Sequence, residues 1–380
     1  MVKTAAIFEL QDVSFAHNVN MPTVLENFNL KIEEGSRTAI LGANGAGKTT
    51  MFYTLTGVNK PQQGQVLYKG EPVEYTKEGL KYLRADAAVV LQNPDEQVFC
   101  SLVEEDVAFG PLNLDLPRDD VERRVRKALR DVRMTEYARR PIQQLSGGQR
   151  KRVAIAGALA MEPKVMIMDE PTAGLDPQAS MEVMELAEKL HLQGVTVMIS
   201  THDVDLVYKW ADISSVLCNK KVEFSGNIDE FYSDLERVHR CGQLSPALYN
   251  MNMDVSWMNG LDPAPFPHNR CEFIAKFGKN RASGRLICVP ACEEDACQKY
   301  DDVTKDLPGV SVGVYGSDSR FALRGKDVEF KFDAMDECYT CAASGQDSIL
   351  IYDSIYEETI KGQAEKLKGF GMDVDMEVVR

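Results

Sequence analysis

The run Gly42-Ala43-Asn44-Gly45-Ala46-Gly47-Lys48-Thr49-Thr50 constrains this chain more than any other stretch. It follows the apolar segment Thr38-Ala39-Ile40-Leu41 and fits the pattern G-x-x-x-x-G-K-[ST]. A buried strand therefore enters a glycine-rich turn, and a helix begins near Lys48. Such a turn aims backbone N–H groups inward, and the helix N-terminus adds partial positive charge. Both favour a polyphosphate. Lys48 then reaches the terminal phosphates, and the Thr49 hydroxyl is placed to ligate Mg2+. A glycine-rich turn with no ligand has no need of strand, helix and Lys-Thr in this register.

The segments around it read in order. Residues 7–15 and 28–32 alternate apolar and polar side chains, as antiparallel strands do. Phe15 and His17 are the rings available to stack on a base. Residues 64–70 read as a strand between turns, and residues 87–91 as a second buried strand that ends at Gln92, an amide suited to Mg2+ or water. Residues 101–140 read as helical. Val121, Val125, Leu129 and Val132 recur at helical spacing, with Arg123, Arg124, Arg126, Lys127, Arg130 and Arg133 around them. These arginines read as a solvated face, with a basic patch as the alternative.

Leu145-Ser146-Gly147-Gly148-Gln149 opens a small-residue helix and forms a second anion-binding turn. One nucleotide on one chain leaves this turn without a γ-phosphate, which hints at a second protomer. Val165-Met166-Ile167-Met168-Asp169-Glu170 is a buried strand ending in two carboxylates, a Mg2+ ligand followed by a general base. Ala173-Gly174-Leu175-Asp176-Pro177 turns into a helix over 178–192. A third buried strand, 195–200, ends at Thr201-His202-Asp203. Two edge strands, 213–217 and 221–224, and a helix over 228–240 follow.

The bulk numbers set limits. The chain has 380 residues, enough for two domains. The net charge of −15 argues against a nucleic-acid partner. Residues 1–9 lack the long apolar core of a secretory leader. No segment approaches the ~18 uninterrupted apolar residues of a membrane span, so a membrane role runs through a partner.

In order, the phosphate loop, Gln92, Leu145 to Gln149, Met168-Asp169-Glu170, Asp176 and His202 resemble an ABC-type ATPase over about residues 5–238. Gln92-Asn93-Pro94-Asp95-Glu96-Gln97-Val98-Phe99, with Val103 to Leu114, is similar to the energy-coupling-factor ATPases, most of all their cobalt/nickel-type members. Thr201 to Val207 with Trp210-Ala211-Asp212 supports the same subgroup.

The resemblance implies an α/β fold with a mixed sheet core, an antiparallel β-subdomain and a helical subdomain. It implies that Gly42, Asn44, Gly45, Gly47, Lys48, Thr49 and Thr50 bind the phosphates of ATP. Thr49, Gln92 and Asp169 then serve Mg2+, Glu170 is the base, and His202 senses the γ-phosphate. Ser146, Gly147, Gly148 and Gln149, with Asp176, bind ATP across a head-to-tail dimer. That dimer is homodimeric or pairs this chain with a second ABC ATPase. The segment 92–114 forms a groove for the coupling helices of an integral-membrane protein, which works with a substrate-capturing membrane protein. The chain is then peripheral, on the cytoplasmic face of the membrane. Relatives commonly carry Tyr where His17 stands, and His17 is taken here as the base-stacking candidate.

The expected domains are 1–240, the ATPase; 241–270, a linker rich in Pro and Asn; and 271–380, a small α+β domain. The last should hold strands at 273–277, 285–289, 310–315, 328–332 and 349–352, with helices at 291–301, 334–343 and 355–368. Six of its cysteines, Cys271, Cys288, Cys292, Cys297, Cys338 and Cys341, permit a metal site, but their spacings match no standard zinc ribbon and apolar packing is the stronger reading. The expected function is ATP hydrolysis that drives uptake of cobalt or nickel. The alternatives are a vitamin importer of the same type, a soluble ABC-type switch, or a metal-sensing regulatory module.

Overall fold

The computed structural model describes residues 5–18, 20–278 and 284–379. Residues 1–4, part of the stretch read for a leader, lie outside that description. By internal contacts the chain divides into two units, Met1–Val183 with Gln193–Leu244, and Met184–Leu192 with Ser245–Arg380.

In the first unit the chain runs β1 (Ala6–Phe15), β2 (Leu25–Glu33), β3 (Arg37–Gly42), α1 (Lys48–Leu55), β4 (Gln63–Tyr68), β5 (Glu71–Pro72), α2 (Lys77–Asp86) and β6 (Ala87–Val90). It continues through α3 (Val103–Asn113), α4 (Arg118–Asp131), α5 (Gly147–Ala160), β7 (Val165–Asp169), α6 (Pro177–Leu192), β8 (Thr196–Ser200) and α7 (Val204–Trp210). It closes with β9 (Ile213–Cys218), β10 (Lys221–Gly226), α8 (Ile228–Tyr232) and α9 (Leu235–Arg240).

Two sheets result. One is antiparallel, in the order β2-β1-β4-β5. In β2 the residues Leu25, Phe28, Leu30 and Ile32 are buried, while Asn29 and Lys31 between them face solvent. That alternation is what one buried face requires. The other sheet runs β10-β9-β3-β8-β7-β6, with all pairs parallel except β10 with β9. Every residue of β7 and β8 is buried, as continuous apolar strands covered on both faces are. Parallel strands end at the same side, so β3, β6, β7 and β8 deliver their C-terminal residues together. Of the two strands expected at an edge, only β10 is one, because β9 sits between β10 and β3. The helix expected over 228–240 is two helices, since Asp234 accepts from the Arg237 N–H (3.0 Å) and starts α9 afresh.

The arginines of α4 follow the solvated reading. Arg123 and Arg124 pair with Asp120 and Glu162, and Arg118 with Glu122. Val121, Val125 and Leu129 are buried beneath them.

The second unit holds α10 (Ala247–Asn259), α11 (Arg270–Phe277), β11 (Arg285–Ala291), α12 (Ala296–Asp306), β12 (Ser311–Tyr315), α13 (Ser317–Ala322), α14 (Ala334–Ala343), β13 (Ser348–Asp353), α15 (Glu357–Gly369) and β14 (Asp375–Val378). Its sheet, β12-β13-β11-β14, is parallel throughout. Residues 184–192 of α6 belong to this unit. There Arg320 grips the Glu185 carboxylate with two N–H groups (2.8 and 2.5 Å), and the Tyr356 hydroxyl donates to the Glu185 carbonyl (3.0 Å).

Several expectations for this region change. The stretch read as a linker carries α10. Residues 273–277 are helical, because Asn269 accepts from the Glu272 N–H (2.9 Å) and caps α11. Residues 328–332 form no strand and reach the sheet by one bridge, Phe330 to Gly313. The helix expected from 291 starts at Ala296, since β11 runs to Ala291 and Cys292 N–H turns onto Asp295 (2.7 Å). Cys271, Cys288 and Cys338 are fully buried in the apolar core. Among the described residues no group of His, Cys, Asp and Glu is placed to hold a metal ion. The cysteines pack.

Candidate active site

A cavity of about 400 Å3 opens where the parallel strands end. Residues 43–50, His17, Val24, Gln92, Asp169, Glu170 and His202 line it. The turn between β3 and α1 forms its floor. Gly42 takes φ +151°, and a Cβ there would stand 2.7 Å from the Leu217 carbonyl, so backbone approaches backbone and only glycine fits.

Lys48 is buried and donates to the Gly42 carbonyl (2.7 Å). Its Nζ also stands 3.3 Å from His202 Nε2. Burial pulls its pKa down, and the charges of Glu170 and Asp169 act against that. Thr49 donates to Asp169 Oδ2 (2.6 Å), and the Ser200 hydroxyl donates to Asp169 Oδ1. Strands β7 and β8 bring Asp169 and Ser200 side by side in register.

Glu170 holds a left-handed backbone, φ +45°, which costs a non-glycine residue about 1–3 kcal/mol. Its N–H is fixed on the Ser200 carbonyl (3.0 Å). Its carboxyl pKa is raised by burial, against the pull of His202 and Lys48. Glu170 Oε1 lies 3.2 Å from His202 Nε2, the same nitrogen that faces Lys48. Glu170 Oε1 is a buried acceptor on the cavity wall with no hydrogen-bond donor among the described residues. A base that must orient water needs that arrangement.

Lys151 was not singled out in the sequence. It sits on α5 with only 2% of its surface exposed, and burial brings its pKa down to about 8. Its Nζ donates to the carbonyls of Leu91 (2.9 Å), Gln92 (3.0 Å) and Glu170 (3.4 Å). The available signal was its register. Lys151, Ala154, Ile155 and Ala158 follow an i, i+3, i+4, i+7 spacing, and all are buried. Ser200 also went unnoticed, a lone hydroxyl ending an apolar strand.

Not every candidate comes to the cavity. Ser146 caps α5, accepting from the Gln149 N–H (3.2 Å), while the Gln149 side chain accepts from the Ser146 N–H (2.9 Å). Asp176 accepts from the Ala179 N–H (2.8 Å) at the start of α6. Neither Asp176 nor residues 146–149 line the Lys48 cavity. Phe15 is buried in the core of the first unit, so it is not free to stack on a base. His17 is exposed on the cavity wall, edge-on to Phe15 at 5.3 Å.

The ABC transporter family matches residues 25–173. The Energy-coupling factor transporter ATP-binding protein EcfA of Methanocaldococcus jannaschii is 43% identical over 259 residues, 66% of this chain and 92% of that protein. The chain belongs to the energy-coupling-factor ATP-binding proteins. EcfA2 of Methanospirillum hungatei is 35% identical over 355 residues, 91% of this chain and 89% of its own length. That match must run through the second unit of the ATPase, which the first relative's shorter match does not span. Among solved structures, CbiO1 of Clostridium perfringens, part of the ABC transporter complex CbiONQ, is 38% identical with a TM-score of 0.55. It covers 62% of this chain and 94% of its own.

The energy-coupling-factor ATPase binds ATP with Mg2+ and hydrolyses it. The side chains at the strand ends fit the metal. A hydroxyl and a carboxylate already joined, Thr49 and Asp169, are hard oxygen donors of the type Mg2+ prefers. Gln92 adds a third oxygen on the same wall. When bound, Mg2+ neutralises phosphate charge as the γ-phosphoryl group leaves.

Proposed function

We propose that this ATPase drives uptake of a transition-metal ion, cobalt or nickel, through a partner membrane complex. Glu170 is the base for the attacking water, His202 contacts the γ-phosphate, and Lys48 with residues 42–50 holds the phosphates. Gln92 and Asp169 with Thr49 hold Mg2+, and His17 stacks on adenine. The signature turn, Ser146 to Gln149, and Asp176 lie off their own chain's ATP cavity, which supports a head-to-tail dimer with each turn serving the partner's nucleotide. Residues 1–240 are the catalytic domain, and 271–380 an appended regulatory or dimerising domain beyond a connecting segment, 241–270.

One observation carries the membrane partner. Phe99, Phe109 and Leu112 are exposed on the segment that follows Gln92, and the two rings stand edge-to-face at 4.7 Å. Large apolar side chains grouped in water mark an interaction surface. A coupling helix of an integral-membrane protein fits it, placing the ATPase on the cytoplasmic face of the membrane. Among the described residues no helix is long and apolar enough to cross a membrane. The cargo reading rests on the resemblance of residues 92–114 to the cobalt/nickel-type ATPases and on the likeness to CbiO1.

The test uses a trapped state. Glu170→Gln should bind MgATP and lose turnover by about 10²–10⁴-fold. Isolated with MgATP from mildly solubilised native membranes, it should bring a small coupling protein and a metal-capturing membrane protein. A vitamin-capturing partner would move the cargo to the runner-up class. Ribosomal or DNA-repair partners would overturn the importer reading.

A further inference from the structure

We infer that Lys151 is a positioning residue that sets the general base and the Gln92 segment from the helix opened by the Ser146 turn. The inference rests on the assignment of Glu170 as the base. Three observations carry it. First, a lysine with 2% exposure is expensive to bury, and among the described residues no carboxylate is bonded to it. Its ammonium is spent on three backbone carbonyls, which is all a lysine can saturate with three protons. Second, those carbonyls belong to two separate strand ends. Leu91 and Gln92 leave β6, and Glu170 leaves β7. Third, Glu170 is held in a left-handed conformation. Its N–H is fixed by Ser200, and its carbonyl accepts from Lys151 (3.4 Å) as well as from the Ala173 N–H (3.2 Å) in the turn that follows. Without Lys151 the Glu170 carbonyl keeps only the local turn bond from the Ala173 N–H, nothing ties it to α5, and the carboxylate can leave its place beside His202.

Lys151 is two residues beyond Gln149 on α5, whose first turn carries the signature motif. A shift of that helix therefore pulls on the backbone of the base and of Gln92 at once. Chemistry in the cavity thus depends on where the signature helix stands.

Lys151→Met removes the donor at similar length and keeps the site filled. Lys151→Gln restores one donor. Both would be compared with Glu170→Gln and the parental chain for MgATP hydrolysis, ATP binding by fluorescent analogue, and thermal unfolding. A displaced base loses roughly ten- to a hundredfold in rate. The expected result is that loss in kcat for Lys151→Met, with KM and ATP binding within about threefold. Lys151→Gln should recover part of it. Parental kcat in Lys151→Met beside an inactive Glu170→Gln would overturn the inference alone. A parental rate in Glu170→Gln would instead overturn the base assignment on which it rests. If Lys151→Met does not fold, Lys151→Gln decides: reduced kcat at unchanged KM supports the role, and parental kcat ends it.

Discussion

The Thr49 hydroxyl and Asp169 Oδ2 meet at 2.6 Å, across 120 residues of chain, and Ser200 closes on the other oxygen of the same carboxylate. Asp169 is thereby oriented from both sides. Ser200 does not line the cavity, yet it fixes the rotation of a carboxylate that does. Ser200→Ala should weaken the Mg2+ dependence of hydrolysis by about 10–100-fold, the usual cost of losing an outer partner of a metal ligand. A Mg2+ titration of ATPase rate checks this. An unchanged half-saturating Mg2+ concentration would remove Ser200 from the site.

Ser146→Arg tests the trans reading of the signature turn. An arginine there would fill the partner's phosphate site while leaving the chain's own Lys48 cavity untouched. ATP-dependent dimerisation, followed by light scattering on a Glu170→Gln background, should be lost, and nucleotide binding by the monomer kept. Dimers that persist would contradict the sandwich.

Asp86 gives the first unit a pH dependence. Burial acts to raise its pKa, but Lys69 (2.9 Å), the Tyr68 hydroxyl (2.7 Å) and Lys164 (3.1 Å) all donate to one oxygen, and the net shift is downward. The folded carboxyl thus titrates below its unfolded value. Its contribution to stability is present above the ordinary carboxylate range and is lost as pH falls below about 4. Thermal unfolding between pH 7 and pH 3 should show this slope, flattened in Asp86→Asn. Equal slopes in the two proteins would assign acid sensitivity elsewhere.

In the second unit, Gly316 lies at φ +104°, and a Cβ there would meet the Asp353 carboxyl group at 2.4 Å. Asp353 accepts the N–H groups of Asp318 (3.0 Å) and Ser319 (2.7 Å), so it cannot retreat without orphaning both. Gly316→Ala should destabilise this unit by at least about 1–3 kcal/mol from backbone strain alone. Hydrogen exchange on β12 and β13 would report it. Unchanged protection would mean that the turn yields.

The sequence made the first unit legible because its signals are local. A strand, a glycine turn and a Lys-Thr pair lie within a dozen residues, and buried parallel strands show as unbroken apolar runs. What escaped was long-range. Ser200 and Lys151 act through partners on other strands, and nothing in their neighbours names those partners. The run 273–277 was too short to separate strand from helix by period. The cap that decides it, Asn269 accepting from the Glu272 N–H, shows only in the fold. The second unit lacked phosphate-binding landmarks, so its strands were found more readily than their parallel order.

Helix α6 is one helix with two owners. Its first turns belong to the catalytic unit, and residues 184–192 are held by Arg320 and Tyr356 from the end of the chain. No single cut divides this protein into its parts. A fragment stopped at residue 244 would keep Glu185 but strip away Arg320 and Tyr356, which bond it. A boundary drawn after residue 244 would therefore leave Arg320 and the Tyr356 hydroxyl without the Glu185 groups they bond.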